Sequence, residues 1–405
     1  SNTVEVYSVD SNDFRAIDTS APGSGGVFNI NQLTNLVSLS LSSNYYLGGA
    51  FSIAAGNAVI RSINISGTGL QFPTGLQGKS SLQSFSASNA RALGTLVDFE
   101  GGNSKEYVFN NCTNLGTINC YSSIVTGRFP VFNNPNLTNL DLRYTRIAGG
   151  SPTGDESTVI PKSTFQLATN LQYLLIDSSY LITSPIDFQA FVDLPNLTNI
   201  WFRSYGRVTG AIPTFQGNPL LNNIFMQSNA FTGSPPSLVG NPSISSVDFS
   251  FNKLNGTIPT YQNLGNLYQL YLQGNQLVNI GEFINLPSLT YLYIQDNLIG
   301  QVGAAEIPDL SDCPSLRFFI AYNNKFENYK PGAFASLTQI RIIDLSGNPL
   351  KESAMEKIFE DLYTNWNTVK RGSVTINLRG CGSQSKTALE YILILRNNGW
   401  SITID

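Results

Sequence analysis

Large flat side chains recur in this sequence at places where a small polar residue would dissolve more easily. Trp201, Phe225, Tyr271 and Tyr293 each stand between two apolar residues, in "IWF", "IFM", "LYL" and "LYI". Tyr173, Phe318 and Tyr322 lie two residues from the same alternating pattern, and Arg203, Gln273 and Gln295 follow a ring by two residues. Residues two apart share one face of a strand, so these ten side chains are expected to face outward together. Rings with interspersed Arg and Gln have the composition of a protein-recognition hot spot. They could equally stack on sugar rings, with Gln, Asn and Asp bonding hydroxyls.

Two other readings of this column stand open. Aromatic and β-branched neighbours suit parallel strands, which would make it a stacking ladder. A neighbouring subunit could also cover it. The full outward column runs Ser40, Asn64, Ser86, Asn119 and Asp141, then Leu175, Trp201, Phe225, Asp248, Tyr271, Tyr293 and Ile320, and ends on Asp344 and Asn377. A ladder alone does not explain why the rings gather in the middle coils, since exposed apolar surface lowers solubility.

Other chemistry is thinly represented. Histidine is absent, which removes Ser-His-Asp and Cys-His nucleophiles and the commonest metal ligand. The 27 acidic residues form no paired motif for glycoside hydrolysis. The expectation is a protein that is no enzyme and needs no cofactor or metal. Net charge is −4 with no basic run, which argues against nucleic acid as a partner. No apolar run approaches about 18 residues, so no membrane insertion is expected. Charged residues make up 12% of the 405-residue chain, against roughly 25% in ordinary domains. The surface is polar without being ionic.

The elements that must position the rings follow from a repeat. "LYQLYLQGNQL" (267–277) fits L-x-x-L-x-L-x-x-N-x-L, and the pattern recurs along the chain. Its Asn position falls at 44, 68, 90, 123, 145, 179, 205, 229, 252, 275, 297, 324, 348 and 381, which makes fourteen coils. Most spacings sit within about 20–29 residues, and the sequence resembles leucine-rich-repeat proteins over nearly its whole length. The resemblance implies an α/β solenoid whose strands form one parallel concave sheet, stacked because no coil can bury its apolar face alone. Asparagine holds the turn position at Asn44 and from Asn229 to Asn348, whereas Thr68, Ala90, Ser123, Thr145, Ser179 and Tyr205 replace it between. The N-terminal half should therefore be the less regular one.

"VTGAIP" (208–213), "FTGSPP" (231–236), "LNGTIP" (254–259) and the looser "VTGRFP" (125–130) resemble the G-x-I-P extension of plant-type leucine-rich repeats. Cys112, Cys120, Cys313 and Cys381 all fall on frame positions of small buried residues. Free thiols, without the Cys-paired caps usual in extracellular relatives, point to folding in a reducing compartment. Residues 1–29, with "SAPGSGG" at 20–26, read as a cap or linker that could attach to a larger assembly; "TVEVYSVD" (3–10) could add a capping strand. Residues 30–350 are the solenoid and 351–405 a helix–strand–helix cap, with helices expected over 352–366 and 385–400. That ending resembles the terminal segment of leucine-rich-repeat proteins in bacterial and phage surface or virion components. Together these features imply a recognition or adhesion solenoid on a virion or cell surface, binding a host glycan or protein. The alternatives are a structural virion component and an extracellular receptor or inhibitor of plant type.

Overall fold

A computed structural model of the chain describes residues 16–18, 30, 33–45, 47–95, 99–100, 103–104, 107–126, 129–146, 162–177, 189–203, 208–303, 306–370 and 372–405. The chain divides into two compact units, Ser1–Thr209 and Gly210–Asp405. Each is a stack of leucine-rich-repeat coils contributing one short strand apiece to a parallel sheet. In the N-terminal unit the central residues Leu39, Ile63, Phe85, Ile118, Leu140, Leu174 and Ile200 stand side by side in register. In the C-terminal unit the series is Ile224, Val247, Leu270, Leu292, Phe319, Ile343, Ile376 and Ile402. All are buried. A one-residue slip would turn each of them to solvent, so the alternation itself fixes the register.

Every strand read from the repeat is present. Two more extend the sheets. Ala16–Asp18 pairs with Ser38–Ser40, while "TVEVYSVD" and "SAPGSGG" lie outside the described residues. At the other end Ser401–Thr403 pairs with Thr375–Asn377, so the cap runs helix–strand–helix–strand, where a helix–strand–helix ending in a tail was expected. Burial of Ile402 beside Ile376 repeats the alternation one coil further. The cap helices span Glu352–Val369 and Lys386–Asn397. The second stops short of residue 400 because Asn398 and left-handed Gly399 (φ 87°) turn the chain. Among the described residues no helix is long and apolar enough to cross a membrane.

The turn asparagines explain how coils are stitched. Asn275 Nδ2 donates to Leu272 O (3.0 Å) in its own coil and to Phe249 O (3.1 Å) in the coil before. Its Oδ1 accepts from Leu254 N–H at 3.0 Å. Asn252, Asn297, Asn324 and Asn348 repeat this three-way contact. Each amide satisfies backbone groups that the tight bend would leave buried and unpaired. In the N-terminal unit Thr68 and Thr145 donate only to their own coil, to Ile65 O (2.7 Å) and Leu142 O (2.8 Å). Ala90 has no polar side chain, and Ser123 of the next coil serves its turn instead, donating to Ala87 O and accepting from Ala90 N–H (3.0 Å). Positions 179 and 205 lie outside the described residues.

A second amide column, unread in the sequence, sits three residues before the first strand leucine. Asn57 donates to Leu33 O and Leu36 O, Asn134 to Phe109 O and Cys112 O, and Asn241 to Phe215 O and Asn218 O. Lys79 fills this column with its ammonium on Ala54 O (3.0 Å) and Ala55 O (2.8 Å). Burial holds that lysine below its ordinary pKa. Cys112 and Cys313 occupy the same column as buried free thiols, and Cys120 is buried just after the Thr117–Asn119 strand. Cys381 is half-buried, where full burial was expected: standing in for a turn asparagine, it donates to Leu345 O at 3.2 Å and stays near the turn surface. Burial pushes Cys112 and Cys381 up to about 11 and Cys313 up to about 12. The G-x-I-P segments form short strands of their own, such as Thr257–Ile258 beside Asn279–Ile280.

Candidate recognition faces

The ten outward residues singled out in the sequence fall into one cluster in each unit. In the N-terminal unit Tyr173 is exposed at the start of its strand, while Trp201 and Arg203 are half-buried. Asp177, fully buried, accepts a bidentate pair from Arg203 (Nε–Oδ1 3.0 Å, with Nη2 on Oδ2). Asp141 holds Arg143 in the same way, at 3.0 and 2.7 Å. The Arg143 guanidinium sits 5.1 Å from the Trp201 ring and 5.2 Å from the Tyr121 ring, and that of Arg203 sits 5.6 Å from Trp201. Cation–π contacts thus join two charge-assisted forks. The Asp141 carboxylate raises the Arg143 pKa, chiefly by hydrogen bonding. This face is tied to itself.

The C-terminal unit is built differently. Its rings pack along the stack: Tyr271 lies 4.9 Å from Tyr293, Tyr291 lies 4.8 Å from Phe318 and parallel to it within 2°, and Tyr268 meets Tyr291 edge-on at 5.3 Å. These separations match the roughly 4.8 Å between neighbouring strands. Tyr291 and Phe318 turn their faces to one another and Tyr271 and Tyr293 lie at 34°, while the Tyr271 hydroxyl donates to Gln269 Oε1 at 3.3 Å. Tyr271 does not stand free in water, as its position in the strand suggested; it is half-buried between neighbours. Burial, then Tyr293 and Tyr291, push its hydroxyl up to about 12. Burial also raises Tyr293 and Tyr322, the latter with a contribution from Asp296.

Gln273 is half-buried and Gln295 buried, each with an Oε1 that accepts no hydrogen bond from the described residues. Gln227, in the same column, has the same unmet acceptor. Phe225 pairs with Asp248 across the strands, whose Oδ1 accepts from Ser250 N–H (2.9 Å) and its hydroxyl (2.5 Å). The polar interruption in the ring column is thus a closed turn, with its carboxylate occupied.

Two further aromatics escaped the sequence pattern. The residue before the turn asparagine is left-handed in coil after coil, from Ser43 (φ 66°) to Gly347 (φ 69°). Glycine or a small polar residue suits that conformation. Tyr144 (φ 58°) and Phe251 (φ 54°) adopt it too, both exposed, Phe251 at 58%. Phe251 lies over Gly274, where a Cβ would come within 2.6 Å of its ring. The signal was available as "F-N" and "Y-T" in the frame positions, but only a known turn geometry gives it meaning.

No protein-family model matches the chain, and neither does any curated protein. Solved structures do. A plant peptide hormone receptor, RGFR1, in complex with RGF2, superposes with a TM-score of 0.63 at 20% identity, over 97% of this chain and 62% of its own. The Arabidopsis receptor kinase HAESA, in complex with the peptide hormone IDA and the co-receptor SERK1, gives 0.60 at 19%, over 96% and 70%. A leucine-rich-repeat protein of Leptospira interrogans gives 0.51 at 19%, over 88% and 95%. The chain spans less than two thirds of the RGFR1 structure. At these identities the likeness is one of fold.

Proposed function

We propose that this chain is a non-enzymatic recognition module that holds an extended peptide or protein segment against the tyrosine rows of its C-terminal unit. The observation that carries this reading is the ring-on-ring packing of Tyr268, Tyr271, Tyr291, Tyr293 and Phe318. A sugar ring stacks on an open aromatic face, and these faces are largely taken up by their neighbours. Ring edges remain, which suit apolar side chains. Each ring is held by the next, so little side-chain entropy is left to lose on binding. Gln273, Gln295 and Tyr322 supply polar contacts beside the rings, and Phe225 extends the apolar row.

Support comes from the fold neighbours solved with peptide hormones. A display setting, on a virion or a cell surface, fits the weakly charged polar composition and is part of the proposal. The N-terminal cluster of Tyr173, Trp201 and Arg203 is assigned a lesser contact role, because its charges already satisfy one another. The test is a panel of peptides and bacterial and host surface proteins, run with the native chain and a Tyr271→Ala/Tyr293→Ala/Phe318→Ala variant. Loss of binding by at least about tenfold (about 1.4 kcal/mol), with circular dichroism unchanged, is expected. A variant that binds as well as the native chain overturns the reading.

A further inference from the structure

We propose that the N-terminal unit carries a second, independent site: a pocket at the turn edge of its coils that takes an acidic sugar residue, with the carboxylate on Arg91. The pocket measures about 640 Å³, inside the roughly 300–1,000 Å³ of small-ligand sites. It exists because the left-handed turn positions here are Ser43, Gly67, Asn89 and Ser122. At the same position in its own unit, Phe251 projects a ring. Small residues on successive coils leave a hollow.

Two features give the hollow a chemical preference. Gly67 has no side chain, and the Tyr45 ring lies against it; a Cβ there would sit 3.4 Å from Tyr45 Cε1. The Arg91 guanidinium stands over that ring, 5.6 Å from its centroid. Among the described residues Arg91 has no acidic partner, unlike Arg143 and Arg203, so its charge is placed by an aromatic ring and remains available to an anion. Around it, the side chains of Ser43, Ser88, Asn89 and Ser122 make no hydrogen bond to the described residues. They converge on one cavity with both donors and acceptors.

A bare oxyanion would engage Arg91 and fill a small part of this volume. It would leave the Tyr45 ring, 48% exposed, and the hydroxyl rim unused. A pyranose carrying a carboxylate matches all three: charge to Arg91, hydroxyls to the serines and Asn89, and one apolar ring face to Tyr45. Nothing here depends on the tyrosine rows of the C-terminal unit.

The experiment is a titration of the full chain, followed by NMR, with methyl glucuronide, methyl glucoside, acetate and N-acetyl-aspartate amide. Methyl glucuronide should saturate at about millimolar concentration. The neutral glucoside should bind about tenfold more weakly, and the two small carboxylates more weakly still. Arg91→Gln should abolish the preference for the acid, and Tyr45→Ala should weaken both sugars while circular dichroism stays unchanged. The Tyr271→Ala/Tyr293→Ala/Phe318→Ala variant should bind glucuronide normally. The proposal fails if no sugar saturates, if acetate or the aspartate derivative binds as tightly as the glucuronide, or if Arg91→Gln leaves the preference intact.

Discussion

In the C-terminal unit asparagine closes every coil from Asn229 to Asn348, and five of these amides are seen to bridge two coils. In the N-terminal unit the same position passes from Asn44 through Thr68, Ala90, Ser123 and Thr145. A primary amide offers two donors and an acceptor; a hydroxyl offers one donor and an acceptor on a single atom, so it reaches fewer partners. The N-terminal coils therefore draw their cohesion from elsewhere. They use a spine of rings (Phe85–Phe109 at 4.9 Å, Phe132–Phe165 at 5.2 Å) and the Asp–Arg forks on the open face. Where the turn holds the stack, the open face is left to rings that can meet a partner. Where the turn is weaker, side chains on the open face are committed to holding the fold.

The sharpest way to break this contrast is Arg203→Ala, which takes the bidentate guanidinium away from the fully buried Asp177 carboxylate. Removing one partner of a buried pair costs roughly 3–5 kcal/mol, read as a lowered urea midpoint. A midpoint shift no larger than that of Tyr271→Ala would mean the N-terminal face is not structural. Asn275→Ala comes next: it leaves two carbonyls and one N–H without their side-chain partner, for a loss of roughly 3 kcal/mol. Hydrogen exchange of the flanking coils should accelerate; a loss below that of Thr145→Ala would sink the stitching argument. Ser123→Ala should cost about 1–2 kcal/mol and expose the Ala87 and Ala90 backbone groups to exchange, so unchanged protection there would show that Ser123 does not serve its neighbour.

Alkaline pH sharpens the comparison further. The Tyr271 hydroxyl is held up to about 12 in the folded chain and ionises near 10 when unfolded. The unfolded chain releases its proton first, so this contribution to stability is whole below about pH 10 and fades as pH rises toward 12. Tyr293 and Tyr322 shift the same way. The buried Tyr107 hydroxyl and Cys112 thiol of the N-terminal unit shift the same way, so the rows are tested by Tyr271→Phe, which should lessen the loss of stability between about pH 10 and 12. A loss as steep as in the native chain would count against Tyr271 as a cause. The smallest effect belongs to Tyr293→Ala, expected to change stability by less than about 1 kcal/mol while weakening partner binding. A large stability loss would turn the rings back into a structural ladder.

The frame was legible because a two-residue period and a coil-length repeat are both local properties of sequence. Leu39, Leu270 and Ile343 announce their burial through their own neighbours. What crosses from coil to coil was not legible. Asp141 stood in the outward column with nothing to mark Arg143 as its partner, and no repeat position pointed to the amides of Asn57 and Asn134 or to the Asp177 carboxylate that Arg203 grips. The rings were found as a set, but their packing on one another depends on the lateral spacing of strands, which no single coil records. The Ser401–Thr403 strand was missed because three residues after a helix carry too little pattern to be told from a tail.

The stitching also sets how the protein would answer a pull. Strands lie across the direction in which coils are added, so tension applied to the two chain termini would load one junction at a time, as in opening a zipper. Each junction of the Asn252–Asn348 series would then release its two coil-bridging amide bonds together, and each hydroxyl-closed junction would let go at a lower force. Stretched on a tether, the molecule would yield in steps, the hydroxyl-closed coils before the amide-closed ones, and the tyrosine rows would be among the last parts to lose their shape.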